Sequence, residues 1–358
     1  MRFDAAVIGC GRMGAFTSEG VRRHAPACWL PLAHAEAIRA HPALHLQALA
    51  DPQPETLARA LAAYGVARGF ADGQALLEAT KPTLVGIATR TIGRAGLIAA
   101  AVAYGARALH VEKPLCNSLQ ELTALESLFS RDDLFVTYGA IRRHLPPYLQ
   151  ARALVESGAL GQLLEVQVNL GHGALFWTHP HSTDLLLFAA RGRRVVSVAA
   201  RLSGLELQTN SSTVQTDPRI EAATVLFDDG VEGRIARTPG CDLVFACERG
   251  LVIVENDGHA VVVRQPQGDN PYLVTAALPV PDTGAPGGTG TAVAQLVRCL
   301  NGESEAIAAN AALRRDILTG QRLLLACVQS HLQGGRIVDP AVIDPSLCVL
   351  ARSGALHA

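Results

Sequence analysis

Aromatic side chains are scarce in this sequence, and long apolar runs are absent from it. Phe, Trp and Tyr together make up 4% of the 358 residues, so the alanine-rich helices are expected to pack closely. No apolar run reaches membrane-spanning length, because Gly, Arg, His or Pro interrupts each one. The first residues begin a strand pattern directly, without the basic, apolar and cleavage-site succession of a signal peptide. These absences predict a protein without a membrane partner.

A large excess of charge of either sign is also lacking, as is any closely paired cysteine motif. The formal net charge is -1, so the composition indicates no nucleic-acid partner. The eight cysteines are scattered, and no two have the C-x-x-C spacing. In a chain of this size they are expected to be buried, reduced thiols, which indicates a cytoplasmic location.

The residues that are present suffice for two domains with sizeable cores. Apolar residues make up 49% of the chain and charged residues 18%. This balance is typical of a globular protein and argues against disorder. At 358 residues the length favours about two domains.

The apolar run Phe3–Ile8 leads directly into a G-x-G-x-x-G spacing. In a strand–turn–helix unit the first glycine allows the turn, the second lets the backbone approach a pyrophosphate, and the third lets helix and strand pack closely. The unpaired amides at the helix start would face the phosphates. The predicted cofactor-binding residues at this turn are Gly9, Gly11, Arg12, Met13 and Gly14.

Asp51 ends the next predicted strand, which covers residues 44–50. A carboxylate there can accept both ribose hydroxyls and would repel a 2′-phosphate, so NAD is favoured over NADP. Arg12 weakens the preference for NAD, because its guanidinium can tolerate a 2′-phosphate. Asp51 can instead cap the following helix. The strand starts later than usual, which predicts an insertion, Ser18–Ala37, between the first helix and the second strand. The insertion is either a cover for the site or a surface loop.

Strands and helices then alternate regularly, which indicates a parallel sheet with helices on both faces. Further strands are predicted at 84–88, 108–111 and 134–138. Ligands bind beyond the carboxyl ends of such strands. The residues that fall on this edge, beside the glycine turn and Asp51, are Thr89, Arg90, Glu112 and Lys113.

The pattern changes after Tyr138 to alternating strands, with hairpin turns at Asp229-Gly230 and Arg249-Gly250. A Pro/Gly-rich loop is predicted at 282–290, followed by helices at 291–300 and 313–332. We therefore predict a dinucleotide-binding domain over 1–140, a substrate and dimerisation domain over 141–340, and a C-terminal extension over 341–358 that packs back on the first domain.

Three motifs together resemble the Gfo/Idh/MocA oxidoreductases, which use pyridine nucleotides on sugars and cyclitols. The motifs are the glycine turn, Glu112-Lys113-Pro114, and His181-Ser182-Thr183-Asp184. The resemblance runs over nearly the whole chain and implies an α/β fold. A Rossmann domain with a doubly wound parallel sheet would precede an α+β domain with a large, mostly antiparallel open sheet. It also implies a homodimer or homotetramer formed through that sheet.

The lysine of the E-K-P triplet is suited to act on a substrate oxygen. Partial burial would lower its pKa toward the working range. Hydride transfer at a carbinol also requires a proton to leave or return. Glu112 would orient Lys113, and a cis Pro114 would hold the turn. In the family pattern His181 is the acid/base or proton relay, and Asp184 orients it or binds a sugar hydroxyl.

The chain departs from the family pattern at positions close to this chemistry. Trp177 stands where many members carry an acidic residue four positions before the histidine, and His179 replaces a glycine. Either Lys113 and His181 suffice for proton transfer without that carboxylate, or His179 substitutes for it, or the chemistry has changed. Trp177 and Phe176 form either an apolar wall for a sugar ring or part of the core.

Four arginines can bind a phosphate or carboxylate of the substrate, or form ordinary structural ion pairs. They are Arg90, Arg94, Arg142 and Arg143. A metal site formed by His172, His179, His181 and Asp184 is a weaker alternative, because its spacing matches no standard zinc signature. We therefore predict no metal.

The leading hypothesis is an NAD-dependent dehydrogenase acting on a ring hydroxyl or ketone of a sugar, cyclitol or sugar derivative, including an anionic one such as a nucleotide sugar. Lys113, His181 and Asp184 are the predicted catalytic residues, and Arg142, Arg143, Trp177 and His179 the predicted substrate contacts. The alternative is a nucleotide-binding sensor of the same fold without redox turnover, which the loss of the carboxylate at Trp177 keeps open.

Overall fold

A six-stranded parallel sheet forms the first half of the protein. The computed structural model describes residues 2–209, 211–280 and 286–351. The strands follow the order β3-β2-β1-β4-β5-β6, and every neighbouring pair is parallel. They are β1 (Phe3–Ile8), β2 (Leu44–Ala50), β3 (Arg68–Phe70), β4 (Leu84–Ile87), β5 (Ala108–Val111) and β6 (Phe135–Tyr138).

Helices cover this sheet because its central strands are buried on both faces. In β4, β5 and β6 every residue is buried, as expected for a parallel sheet between helical layers. The helices are α1 (Glu19–His24), α2 (His34–Ala40), α3 (Pro54–Tyr64), α4 (Gly73–Thr80), α5 (Arg94–Ala103) and α6 (Leu119–Phe129). Ser118 and Glu121 form a capping box that starts α6.

The second half contains an eight-stranded sheet with the order β15-β14-β13-β12-β7-β11-β10-β8. Only the pair β7–β11 is parallel. The strands are β7 (Leu163–Asn169), β8 (Val195–Ser203), β10 (Arg219–Phe227), β11 (Glu232–Ala236), β12 (Asp242–Cys247), β13 (Gly250–Glu255), β14 (Ala260–Gln265) and β15 (Val274–Leu278). The predicted fold class is therefore confirmed, as are the two hairpin turns.

Further helices pack against this sheet and connect it to the first one. They are α7 (Pro146–Glu156), α8 (Pro180–Ala190), α9 (Gly288–Leu300) and α10 (Ser304–Leu332). Helix α10 packs against β8 and α8 and also against β6 and α6, so it contacts both sheets. Three short 3₁₀ turns cover Ala27–Trp29, Ile141–His144 and Asn256–Gly258. Among the described residues, no helix combines the length and apolar character that a membrane crossing requires.

The C-terminal segment touches both halves of the protein. Strand β16 (Cys348–Val349) pairs with β9 (Thr213–Val214) in a separate two-stranded sheet. The Val349 N–H also donates to the carbonyl of Asn117 at 2.8 Å, just before α6. Residues 352–358 of the predicted extension lie outside the described residues, as do 282–285 of the predicted loop.

Four elements differ from the prediction. The prediction omits β14 and β15, and most side chains of β15 are exposed, so its hydrophobic pattern is weak. Helix α9 starts at Gly288, inside the predicted loop. A Cβ at Gly288 would overlap the carbonyl oxygen of Trp29, so the helix start is close to residues of the predicted insertion. Helix α10 starts at Ser304, nine residues before the predicted start.

Candidate active site

The glycine turn has the geometry that a diphosphate requires. Gly9 has φ +91°, and a Cβ at Gly14 would overlap the carbonyl oxygen of Gly9, so both positions need glycine. A Cβ at Gly11 would meet no described atom within 4 Å, which leaves its backbone open to a ligand. The N–H groups of Ala15 and Phe16 donate to the carbonyl of Gly11, so a helical turn begins there and its first amides have no partner within that turn.

Asp51 lies beside this turn at the end of β2. Its two carboxylate oxygens accept the N–H groups of Cys10 at 2.7 Å and of Gln53 at 2.9 Å. It therefore fastens the glycine turn and also supports the start of α3. Arg12, at the tip of the turn, is exposed. These residues fit a bound dinucleotide, since the turn is open at Gly11 and a carboxylate ends β2, where this fold contacts a ribose.

The inserted segment lies within the helix that begins at the glycine turn. The prediction that the insertion follows this helix is therefore wrong. The N–H groups of His34 and Ala35 donate to the carbonyls of Met13 and Gly14, each at 2.8 Å. Helix α2 thus continues the turn that starts at Gly11, and residues 16–33 leave and rejoin the helix between them. Sequence periodicity could not locate this break, because the hydrogen bonds join residues about twenty positions apart.

The inserted segment contacts the second half of the protein. The indole N–H of Trp29 donates to the carbonyl of Asp257 at 3.2 Å. The hydroxyl of Thr289, in the first turn of α9, donates to the carbonyl of Leu32 at 2.6 Å. The guanidinium of Arg142 lies 4.9 Å from the Trp29 ring centroid. The segment is therefore a connection between the two halves rather than a free surface loop.

The E-K-P triplet follows β5 at the carboxyl edge of the sheet, and the peptide bond before Pro114 is cis. Buried Arg94 donates to the carbonyl of Glu112 at 2.7 Å and to those of Thr89 and Pro114. Its guanidinium thus joins the ends of β4 and β5. Arg94 is a structural residue here, and its proposed contact with a substrate anion is not supported.

The side chain of Glu112 turns inward toward two buried histidines. One oxygen lies 3.3 Å from Nε2 of His34, and the other accepts the N–H of Lys113 at 3.2 Å. Nδ1 of His110 lies 2.9 Å from the Thr137 hydroxyl. Burial raises the pKa of Glu112, but the hydrogen bond and charge of His34, with the charge of Lys113, outweigh it and lower that pKa. Glu112 is therefore a carboxylate that holds the Lys113 backbone.

The ammonium of Lys113 is held by residues of the second half. It donates to the carbonyl of Trp177 at 2.7 Å and lies 4.2 Å from the centroid of the Trp177 ring. Burial lowers the pKa of Lys113 to about 8, with Arg94 and Arg142 lowering it further while Glu112 and Asp217 raise it. The group can therefore gain or lose a proton near neutral pH.

His181, in the first turn of α8, faces the same charges. Burial lowers the pKa of its imidazole well below the ordinary value, and the charges of Arg142 and Lys113 lower it further. Its Nδ1 is buried and has no hydrogen-bond partner among the described residues. The structure thus brings Lys113 and His181 into electrostatic contact, and the imidazole is neutral.

The two arginines predicted to bind the substrate are both paired with carboxylates. One of these carboxylates is that of Asp184. Nε of Arg143 donates to Asp184 at 3.0 Å, and its Nη1 donates to Asp316 at the same distance. Arg142 forms a pair with Asp257 at 2.5 Å. Burial raises the pKa of Asp184 to about 6 although Arg143 lowers it. The interpretation of both arginines as structural ion pairs is the one that the geometry favours.

Of the remaining residues that were predicted to contact the substrate or cofactor, some are buried in the core and others are partly or fully exposed. His179 is fully buried with Nδ1 2.9 Å from the Ser182 hydroxyl, and Phe176 is also fully buried, so it belongs to the core. Trp177 is partly buried above Lys113, Arg90 is exposed, and the Thr89 hydroxyl is buried without a described hydrogen-bond partner.

The residues of the alternative metal site, His172, His179, His181 and Asp184, do not converge as a group of ligands. In the part of the chain that the structure describes, the one group of three converging potential ligands is His34, His110 and Glu112, whose ligand atoms lie within 4.8 Å of one another. His172 instead pairs with Glu221 at 2.8 Å. Sequence reasoning missed His34 and His110, because a single buried histidine in a helix or strand carries no distinctive spacing.

Asp217 is a third residue that the sequence did not reveal. It lies between β9 and β10, and its two oxygens accept the N–H groups of Phe176 at 2.8 Å and Trp177 at 3.0 Å. The turn-forming pair Asp217-Pro218 was the only local signal, and such pairs are common in loops.

A six-stranded sheet in the order 3-2-1-4-5-6, with a glycine turn after β1, defines a dinucleotide-binding Rossmann fold. Residues 3–140 match the model of the Gfo/Idh/MocA family, described as an oxidoreductase family with an NAD-binding Rossmann fold. The resemblance predicted from the motifs is thereby confirmed, and the first half of this chain is an NAD-binding Rossmann domain.

Solved structures share the fold over nearly the whole length. An NAD-binding oxidoreductase from Klebsiella pneumoniae is 20% identical, with a TM-score of 0.73 over 96% of this chain and 100% of that one. An inositol dehydrogenase homolog from Azotobacter vinelandii, complexed with NADH and myo-inositol, is 18% identical, with a TM-score of 0.72 over 95% and 98%.

An oxidoreductase from Agrobacterium radiobacter in complex with NAD+, L-tartaric acid and magnesium gives a TM-score of 0.69 at 18% identity, over 95% of this chain and 99% of that one. No curated protein matches the chain in sequence. At these identities the structural likeness concerns the fold.

Proposed function

We propose that the protein is an NAD-dependent dehydrogenase or reductase of CH–OH groups, which transfers a hydride between nicotinamide and a ring carbon of a sugar, cyclitol or sugar derivative. The observation that carries the proposal is the position of Lys113. Its ammonium lies at the carboxyl edge of the parallel sheet, where ligands of this fold bind, and is held by the second half of the protein. The inositol dehydrogenase homolog, bound to NADH and myo-inositol, supports the substrate class.

The residues divide the proton chemistry between them. The bound nicotinamide supplies the hydride donor or acceptor. Nζ of Lys113, whose pKa lies at about 8, can donate a hydrogen bond to the substrate oxygen and exchange a proton with it. Neutral His181 can accept that proton. Asp184 acts through Arg143 to hold the start of α8, rather than touching the imidazole.

NAD is the proposed cofactor in preference to NADP because of Asp51. Its carboxylate already accepts two backbone N–H groups and remains available to ribose hydroxyls, whereas a 2′-phosphate would meet its negative charge. We propose Gly9, Gly11, Met13, Gly14 and Thr89 as further contacts of the dinucleotide, with Arg12 and Arg90 exposed at the rim.

The geometry favours an uncharged polyol over an anionic derivative. The guanidinium groups of Arg142 and Arg143 are already paired with carboxylates. Arg90 is exposed and is the residue through which an anionic derivative would be bound.

The test is a panel of cyclitols, monosaccharides and nucleotide sugars, each incubated with NAD or NADP while reduced nicotinamide absorbance is followed. We expect turnover with NAD on uncharged polyols. Lack of turnover over the whole panel, in both directions and with nucleotide binding intact, would contradict the dehydrogenase proposal.

That result would favour the second candidate, a nucleotide-binding sensor. The observation behind it is the hydrogen bond from Lys113 to the Trp177 carbonyl, which engages the ammonium within the protein. A sensor would bind NAD or NADH with a Kd that responds to a sugar ligand, without any change in nicotinamide absorbance.

We also propose that the free face of the eight-stranded sheet forms a homodimer or homotetramer. Thr224 and Leu226 are exposed there on β10, and α7, α8 and α10 pack against the sheet. Light scattering of the purified protein tests this assembly. A cytoplasmic location, which cell fractionation tests, is the final part of the proposal.

A further inference from the structure

Asp217 holds the turn that precedes α8. Its Oδ1 accepts the N–H of Phe176 and its Oδ2 the N–H of Trp177, while the N–H of Leu175 donates to the carbonyl of Pro218 at 2.7 Å. Three hydrogen bonds thus fix residues 175–177 to the loop before β10. A carboxylate that accepts two amides is a strong clamp, since charge-assisted hydrogen bonds are about twice as strong as neutral ones.

The clamped turn is the one that holds the ammonium of Lys113. The N–H of Trp177 is bound by Asp217, and the carbonyl of the same residue accepts from Nζ of Lys113 at 2.7 Å. A single residue therefore joins the carboxylate to the ammonium. Any displacement of the turn would move the Trp177 carbonyl and ring, and Lys113 would lose both contacts.

The charges around Lys113 give Asp217 a second effect. Lys113 is faced by Glu112 from its own loop, Arg94 from α5, Arg142 from the 3₁₀ turn 141–144, His181 from α8, and Asp217 from the loop before β10. Two of these groups are cations that disfavour the ammonium, and two are carboxylates that favour it. Glu112 comes from the first half, so Asp217 is the carboxylate that the second half contributes.

We propose that Asp217 is a positioning residue for Lys113. It places the Trp177 carbonyl against Lys113, and its negative charge helps to keep that ammonium protonated. It does both from the loop before β10, through the peptide of Trp177. The catalytic part of this inference rests on the proposed dehydrogenase function, but the effect on Lys113 does not.

The chain contains two lysines, Lys81 and Lys113, so the ammonium can be observed directly. Lysine labelled with ¹³C at Cε gives one signal from each residue, and exposed Lys81 serves as the internal control. We expect Asp217→Asn to shift the titration of Lys113 to lower pH and to leave Lys81 unchanged. Asp228→Asn is the matched control, since Asp228 is an exposed carboxylate at the far end of β10.

The variant Asp217→Glu distinguishes the effect of the negative charge from the effect of side-chain length. Asp217→Glu keeps the charge, so we expect the Lys113 titration to stay near that of the wild type, even if the longer side chain displaces Trp177 and lowers turnover. If Asp217→Asn does not fold, Asp217→Ser, which likewise removes the charge, takes its place, and the same shift of the Lys113 titration to lower pH is expected. A Lys113 titration that is unmoved in Asp217→Asn, moved equally by Asp228→Asn, or shifted to lower pH in Asp217→Glu overturns the proposal.

Turnover gives a second readout once a substrate is found. In Asp217→Asn the limb of the pH–kcat profile that belongs to Lys113 should move to lower pH, while the KM for NAD stays the same. A fall in kcat without this shift would indicate a merely structural role and contradict the proposal. Absence of turnover in the wild type would defeat the dehydrogenase function alone, because the Lys113 titration is measured without substrate.

Discussion

At the scale of single residues, Lys113 and His181 differ in the charge they carry near neutral pH. Burial lowers the pKa of both groups, but Glu112 and Asp217 hold that of Lys113 at about 8, whereas Arg142, Lys113 and His179 lower that of His181 further. An ammonium that titrates near neutrality is suited to exchange a proton with a substrate oxygen, and the neutral imidazole beside it offers a hydrogen-bond acceptor.

Replacing Lys113 is expected to remove most of the turnover. Lys113→Met keeps the length and apolar stem of the side chain but cannot exchange a proton, so kcat should fall on the order of 10²–10⁴-fold. NAD affinity, measured by calorimetry, should change little. Lys81→Met is the control, because Lys81 is the other lysine of the chain and is exposed at the end of α4. Equal turnover in the two variants would show that Lys113 takes no part in the reaction.

The buried histidines predict a loss of stability in acid. Burial lowers the pKa of His179 to about 4, from an ordinary value of 6.5. The unfolded chain therefore binds the proton first, so the free energy of unfolding decreases as the pH falls from 6.5 toward 4, by about 1.4 kcal/mol per pH unit for such a group. Urea unfolding at several pH values measures this slope.

His179→Gln should reduce that slope, because glutamine does not titrate and its amide can still reach the Ser182 hydroxyl. His24→Gln replaces an exposed histidine of α1 and should leave the slope as it is. An unchanged slope in His179→Gln would mean that His179 is not buried in its neutral form.

At the scale of elements, an inserted segment interrupts the helix that begins at the glycine turn. Residues 16–33 leave the helix after one turn, and α2 restores its hydrogen bonding to Met13 and Gly14. If Thr17–Ala33 were absent, His34 would follow Phe16 and stand four positions after Met13. The hydrogen bonds already present would then be ordinary i→i−4 bonds of one continuous helix.

Deletion of Thr17–Ala33 is therefore expected to give a folded protein that still binds NAD. The glycine turn and α2 would be joined in register, so the diphosphate site would remain. The contacts of Trp29 and Leu32 with the second half would be lost, and turnover and Tm should fall. Calorimetry with NAD and thermal unfolding test both parts.

Trp29→Ala is the accompanying variant, since it removes only the indole, with its hydrogen bond to Asp257 and its contact with Arg142. It should lower the Tm by less than the deletion does. A deletion variant that is folded by circular dichroism but has lost NAD affinity would contradict the view that the segment is an addition to a complete Rossmann helix.

Much of this architecture could be predicted from the sequence, and the exceptions have a common cause. The strands of the first sheet, the glycine turn and the E-K-P triplet are local patterns, so their periodicity and spacing locate them. The site residues His34 and Asp217 act on residues that are 78 and 41 positions away in the chain. No local pattern records such a pairing, and the predicted insertion was placed incorrectly for the same reason.

At the scale of the whole molecule, α10 packs against both sheets and is fastened to the first one by two buried amide side chains. Gln321 accepts from the N–H of Leu115 at 3.0 Å and donates to the carbonyl of Cys116 at 2.9 Å, directly after the E-K-P triplet. Asn310 makes the same pair of bonds to the N–H and carbonyl of Val136, on the edge strand β6. One helix thus covers the sheet edge at one point and holds the E-K-P loop at another.

These two amides provide a matched pair of variants. Gln321→Met and Asn310→Leu each keep the approximate volume and leave one buried N–H and one buried carbonyl unpaired. Each unpaired group should cost about 1–3 kcal/mol in the free energy of unfolding. Both variants should therefore be destabilised to a similar extent in urea, because the lost bonds are equivalent.

Only Gln321→Met should also lower kcat, since the loop that it releases carries Lys113, two residues before Leu115. If Asn310→Leu lowers kcat as much at equal stability, α10 acts on the site through general stability, and the connection from Gln321 to the E-K-P loop has no catalytic importance.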